Sequence, residues 1–139
     1  MPYPEMLLIP MREDLTRHGV EEARTPADVD RLVAESGTVL MVTNSVCGCA
    51  AGKARPAIGM ALQHANRPDK AATVFAGGDV AAVARLREIL SDVPPSSPSL
   101  ALFQNGKPVY IMHRRDIEQR DAFQIATMLT AAFDQYCAK

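Results

Sequence analysis

The 139-residue chain has no excess of either charge. Fifteen Lys and Arg stand against sixteen Asp and Glu, a formal net charge of −1, so no basic surface is on offer to nucleic acid. It also lacks a long apolar run. Met6 to Ile9 is cut by Pro10 and then by Arg12, Glu13 and Asp14, too short for a signal peptide or a membrane span. With no basic leader among Met1 to Glu5, the expectation is a cytoplasmic protein with no membrane partner. Internal repeats are missing, and the one loop-like stretch is Ser91 to Ser99, with three prolines and four serines. Cysteine is scarce: Cys47, Cys49 and Cys137 form an odd set, with no second pair at metal-ligand spacing. In a reducing compartment such a set is catalytic or metal-binding rather than structural.

What remains is ordinary globular material, 47% apolar and of a length that builds one core without disulfides. The expectation is a single domain over 1–139, with a helical N-terminal part at 1–36 and a core at 38–139. Met6 to Arg17, closed by Gly19, and Ala27 to Glu35, opened by Thr25-Pro26 with Asp28 completing a capping box, predict two helices. Thr38 to Thr43 is a continuous apolar run bounded by turn residues, which suits a central strand covered on both faces.

Ala50, Ala54, Ala57, Ile58, Ala61 and Leu62 then recur at helical spacing, with Pro56 expected to bend that helix. Ala72 to Ala76 predicts a second strand and Asp79 to Leu90 a helix, with Val80, Val83, Leu86 and Leu90 facing inward. Ser99 to Phe103, Asn105-Gly106 and Val109 to His113 predict a β-hairpin. A last helix from Asp116 to Tyr136 places Ala122, Ala126, Leu129, Phe133 and Tyr136 on one stripe. The sum is an α/β fold: a mixed four-stranded sheet with helices on both faces.

Cys47-Gly48-Cys49 falls where the central strand turns into a helix. A thiol attacks as its thiolate, and the unpaired N–H groups and dipole of a helix start favour that anion. Asn44-Ser45 offers a side chain for the N-cap. Lys53 and Arg55, roughly 9 to 12 Å further along at about 1.5 Å per residue, are expected to matter less than the helix end, with Arg55 a solvated or salt-bridged residue. Cys47 therefore attacks, and Cys49, one position deeper and with the higher pKa, resolves.

Two positions separate Cα atoms by about 5.5 Å, inside the roughly 4.4–6.8 Å disulfide window, so a bridge is feasible. Gly48 is expected to supply backbone freedom in that tight ring, and the ring's strain to make the disulfide readily reduced. An antiparallel partner strand starting at Ser99 brings Pro98 beside Cys47, with Ser97-Pro98 a candidate cis bond. Its neighbouring backbone groups can pair with an incoming disulfide-bearing chain. Asn44, Ser45, Gly48, Ser97 and Pro98 are thus the candidate substrate-binding positions. A non-catalytic alternative stays open, in which Cys47, Cys49, Cys137 and one of His18, His64 or His113 hold zinc or copper. The histidines otherwise read as surface residues, Cys137 as a surface or packing residue and the seven methionines as core filling.

The run Asn44-Ser45-Val46-Cys47-Gly48-Cys49-Ala50-Ala51-Gly52, with Ala54-Arg55-Pro56, resembles the bacilliredoxin family. The resemblance continues through Val74 to Gly77, Pro95 to Ser99 and Leu129 to Asp134, nearly the whole chain. It implies a thioredoxin-like fold and removal of a low-molecular-weight thiol, bacillithiol, from mixed disulfides on S-thiolated client proteins, with related disulfide isomerase activity. By position, Cys47 would be the attacking thiol and Cys49 the second, with the small thiol as co-substrate and no other cofactor. Pro98 to Gly106 also looks like the proline, strand and hairpin segment of thioredoxins.

Overall fold

A computed structural model describes residues 3–138. Helix α1 (Glu5–Thr16) leads to a two-residue strand β1 (Glu21–Glu22) and helix α2 (Pro26–Ala34). Thr25 caps α2 as the sequence predicts: its hydroxyl accepts from the Asp28 N–H at 3.1 Å, and the Asp28 carboxylate accepts from the Thr25 N–H at 3.3 Å. Strand β2 (Thr38–Asn44) follows, buried at all seven positions. It lies at the centre of a sheet ordered β1-β3-β2-β4-β5, parallel to β3 (Lys70–Phe75) and antiparallel to β4 (Ser99–Gln104), which pairs with β5 (Lys107–Met112). The four longer strands are those predicted; β1 extends the sheet by a fifth, paired with Ala72 and Thr73. Two charged residues carry no strand signal, and the pairing with β3 alone makes them one.

Residue alternation along β2 builds two cores. Leu40 and Val42 face Leu15, Ile58, Leu102 and Phe133 on one side, while Val39 and Met41 face Val29, Leu32, Val74 and Phe103 on the other. Each such side chain contributes roughly 1.5–3 kcal/mol by leaving water. The hairpin turn is as predicted, Asn105 and Gly106 both taking positive φ, 50° and 83°, the pair of left-handed residues a two-residue turn needs.

Two expectations are corrected. Val80 opens helix α4 (Val80–Ile89) but is 59% exposed, and Ala82, Val83 and Leu86 carry its buried face; at about 100° per residue Val80 lies roughly 120° around the helix from Leu86, off that face. The predicted helix from Asp116 to Tyr136 is two, α5 (Arg114–Glu118) and α6 (Ala122–Tyr136). The break has a chemical cause. Asp121 accepts from the Gln124 N–H at 2.8 Å while the Gln124 side chain accepts from the Asp121 N–H at 2.9 Å, a capping box that starts a helix afresh.

At the C-terminal end of β3, Arg12 is 3% exposed and donates to both carboxylate oxygens of Asp79 at 2.9 Å and to Glu5 at 3.0 Å, with its guanidinium 5.2 Å from the Phe75 ring centre. This cluster fastens α1 over the sheet edge from which the β2–helix loop departs.

Candidate active site

The loop after β2 carries the cysteine pair into a helical segment that begins at Gly48, widens into a π-turn at Ala50–Ala54 and continues as α3 (Arg55–Ala61). The Cys47 carbonyl accepts from the Ala50 and Ala51 N–H groups at 3.1 and 3.2 Å. Cys47 is therefore itself the cap residue, and Asn44-Ser45 is not. The Ser45 hydroxyl instead accepts from the Cys47 N–H at 3.2 Å.

The Cys47 sulfur lies among donors. Partial burial pushes its pKa up, but the Ser45 hydroxyl, the Ala50 and Cys49 N–H groups and the Arg114 guanidinium outweigh burial and hold it below the ordinary thiol value. The cause anticipated from sequence, amides at a helix start, is present, although the Ala50 N–H is shared with the Cys47 carbonyl, and it is joined by a hydroxyl and a cation. Cys49 is half-buried and packs against the core layer of Leu40 and Ile58.

Asn44 plays a different part from a cap. Its Oδ1 accepts from the Ser45 N–H at 2.8 Å and from Arg55 Nη1 at 3.0 Å, and its Nδ2 donates to the Met11 carbonyl on α1 at 3.2 Å. Arg55 is only 4% exposed, not solvated. Its Nη1 also donates to the Ser45 carbonyl at 2.9 Å, and its Nε lies 3.0 Å from Asp14 Oδ2 in an ion-pair contact too poorly aligned for a hydrogen bond. Burial lowers its pKa while Asp14 and the Cys47 sulfur act to raise it. Distance along the helix axis understated its reach, because helical side chains lean toward the N-terminus and the arginine arm returns to the loop.

The Ser97–Pro98 peptide bond is cis. Thr43 pairs with Ser99, so one further step of that register sets Pro98 across from Asn44, at the root of the cysteine loop. Arg114, the first residue of α5, had no place in the sequence reading. Its Nη1 donates to the Ser97 carbonyl at 3.2 Å, its backbone N–H to Ser96 Oγ at 3.2 Å and its Nε to Glu118 Oε1 at 2.6 Å. Counted from the Asn105-Gly106 turn, the hairpin would set His113 across from Pro98; a register shift at Leu102/Phe103 advances the partner by one residue, so Leu100 pairs with Met112 and two more steps bring Arg114 opposite Pro98.

Gly48 departs from expectation. Its φ is not positive, and a Cβ there would meet nothing within 4 Å, so in this dithiol form no backbone demand for glycine operates. The pieces of the metal alternative are scattered. Cys137 is buried at the end of α6, His18 is exposed, and His64 pairs with Asp134 at 2.7 Å. Among the described residues no three His, Cys, Asp or Glu side chains gather as metal ligands. No helix among them is long and apolar enough to cross a membrane.

Known proteins resemble this chain in sequence and in fold. The sequence signature of the family described as "Disulphide isomerase" matches residues 3–137. A bacilliredoxin of Koribacter versatilis is 53% identical over 136 residues, covering 97% of this chain and 94% of its own. One from Salinibacter ruber is 53% identical, covering 99% and 82%, and one from Bacillus cereus 46%, covering 97% and 95%. Among solved structures, the thioredoxin of Malassezia sympodialis superposes with a TM-score of 0.60 at 13% identity over 86% of this chain and 91% of its own. A Halobacterium salinarum thioredoxin gives 0.59 at 15% identity over 91% and 94%, which shows the thioredoxin fold. The chain belongs to the bacilliredoxins, a disulphide isomerase family of thiol–disulfide oxidoreductases built on that fold.

Proposed function

We propose that this protein strips a low-molecular-weight thiol, bacillithiol, from mixed disulfides on S-thiolated client proteins in the cytoplasm. The observation that carries the reading is the Cys47 sulfur held among the Ser45 hydroxyl, two helix-start N–H groups and Arg114, an electropositive and partly open setting that favours a nucleophilic thiolate. The Cys47 thiolate attacks the small thiol's sulfur, a new S–S bond forms there, and the bond to the client breaks, releasing the client cysteine as thiolate. Cys49 then attacks Cys47 Sγ, expelling the small thiol and leaving a Cys47–Cys49 disulfide. Alternatively a second small thiol attacks the sulfur of the one bound to Cys47, which forms the symmetrical disulfide and releases Cys47 as thiolate. Either way two electrons pass from thiol to client, and no metal or organic cofactor takes part.

Gly48 and Ser97 stand at the surface that meets the incoming disulfide, and Asn44, Ser45 and Pro98, buried beneath it, hold them in position. Isomerase activity follows from the same parts, because Cys47 can open a wrong client disulfide and Cys49 can free the enzyme when the client does not rearrange. In a client loaded with bacillithiol, Cys47→Ala abolishes release, and Cys49→Ala completes the first step and accumulates a mixed disulfide on Cys47 visible as an added mass. Release at the normal rate by the Cys47→Ala protein refutes the assignment, and the absence of an adduct on the Cys49→Ala protein refutes the division of labour.

A further inference from the structure

Helix α1 touches the cysteine loop at two points. The Met11 carbonyl accepts from Asn44 Nδ2 at 3.2 Å, and Asp14 Oδ2 lies 3.0 Å from Arg55 Nε. From Arg55 the contacts run on to the nucleophile. Its Nη1 donates to the Ser45 carbonyl at 2.9 Å and to Asn44 Oδ1 at 3.0 Å, Asn44 Oδ1 accepts from the Ser45 N–H at 2.8 Å, and Ser45 Oγ accepts from the Cys47 N–H at 3.2 Å. Arg55, Asn44 and Ser45 are all buried, so little water stands between these charges and dipoles.

Asp14 differs from the other members. Its side chain is 39% exposed, it also pairs with Arg17 at 2.8 Å, and its approach to Arg55 Nε is too poorly aligned for a hydrogen bond. The two bonds from Nη1 hold the guanidinium in place without it. What Asp14 adds is therefore charge rather than direction. Around the loop, Arg55 of α3 and Arg114 of α5 both favour the Cys47 thiolate. Lys53 of the π-turn is turned to the Glu118 carbonyl at 2.6 Å, and the Glu118 carboxylate pairs with Arg114 at 2.6 Å. A thiolate stabilised too far becomes a poor nucleophile, because nucleophilicity falls with basicity and the best attacking thiol ionises near ambient pH. We propose that Asp14, carried on α1, restrains the nucleophile: by offsetting the charge of Arg55 it keeps the Cys47 thiolate basic enough to attack a disulfide near neutral pH. This rests on the reading of Cys47 as the attacking thiol and names a residue outside the cysteine loop that tunes it. The N-terminal helix is then part of the active site rather than an appendage to the fold.

The test follows alkylation of Cys47 by iodoacetamide against pH, at low salt and in the full chain, with peptide mass spectrometry separating Cys47 from Cys49 and Cys137. Asp14→Asn lowers the midpoint by about half a unit, as expected for removing one charge several ångströms away in a setting between protein and water. Well below the midpoint the variant reacts about twofold faster than wild type, and above it about 1.7-fold more slowly, because its thiolate is more abundant at acid pH and less basic throughout. Damage to the site slows the reaction at every pH, so the crossing of the two profiles separates restraint from disruption. Asp14→Glu keeps the charge and the wild-type profile. Arg55→Met moves the midpoint the other way, upward by about half a unit; where that protein does not fold, the two Asp14 variants decide alone. An Asp14→Asn midpoint at or above that of wild type overturns the restraint, as does an Asp14→Glu profile that matches Asp14→Asn. Neither result touches dethiolation, which fails separately if Cys47→Ala still releases bacillithiol from a loaded client.

Discussion

Removing the Ser45 hydroxyl isolates one contribution to the reactivity of Cys47. Ser45 accepts from the Cys47 N–H at 3.2 Å and its own O–H does most among the donors to hold the sulfur toward thiolate. A hydrogen bond to a charged group is worth about 1.5–3 kcal/mol net, and the partly open site argues for the lower end. Since about 1.4 kcal/mol is one pKa unit, Ser45→Ala raises the Cys47 pKa by about one unit. At pH 7 the thiolate fraction then falls by up to about tenfold. A more basic thiolate is more nucleophilic, by about threefold per unit at a Brønsted slope near 0.45, so alkylation and dethiolation slow by only about threefold. The same stabilisation favours the dithiol over the disulfide, so the reduction potential becomes more negative by about 30 mV. Thiolate absorbance against pH gives the pKa, and glutathione redox equilibria give the potential. Ser45→Thr, which keeps the hydroxyl, leaves both near wild type. A Ser45→Ala protein with unaltered pKa and potential would falsify the claim that this hydroxyl, rather than the amides alone, sets the nucleophile.

Arg12→Met strips the partner from Asp79, whose buried carboxylate holds both guanidinium bonds at 2.9 Å. Leaving a buried charge unpaired costs about 3–5 kcal/mol, so urea unfolding registers a loss of that size, and a loss under about 1 kcal/mol contradicts the account. Gly48→Ala meets open space at a φ that any residue adopts, so stability stays within about 0.5 kcal/mol; a larger loss means the dithiol backbone does need glycine. Because the folded state holds the Cys47 pKa down, ionisation of Cys47 stabilises the reduced protein. That contribution is complete above the unfolded-state value of about 8.5 and is lost as pH falls through the folded-state pKa. Wild type therefore gains stability over Cys47→Ala as pH rises toward about 8.5, and parallel stability curves for the two proteins exclude the shift.

The parts of the fold legible in the sequence are those decided by local chemistry. Thr25 with Asp28, the run Thr38 to Thr43, and Asn105-Gly106 each settle their own geometry within a few residues, so they stand where expected. The placement of Cys47 at a strand-to-helix junction is equally local. What escaped depends on pairing across the chain. Strand β1 exists only because β3 accepts it. Arg114 reaches the cis-proline loop only through the hairpin register. Apolar periodicity runs on across Asp121-Gln124, so it does not mark the capping box that separates α5 from α6.

Pro56 shows how one residue ties these levels together. Read along the sequence it should bend the active-site helix, since it lacks an N–H and its ring crowds the carbonyl four residues back. The chain meets that demand upstream rather than by a simple kink: the Arg55 N–H bonds to the Ala50 carbonyl, five residues back, and the turn Ala50–Ala54 widens into a π-turn before Pro56 takes a first-turn position of α3, where its missing N–H costs nothing. A wider turn rotates the residues that follow it. Ala54 and Arg55 are buried while Ala51 and Gly52 are exposed, so the guanidinium is delivered to Asn44 Oδ1 and the Ser45 carbonyl instead of to solvent. The proline thus acts on the nucleophile at a distance of nine positions, by turning toward the Cys47 loop a cation that an unbroken α-helix would point elsewhere.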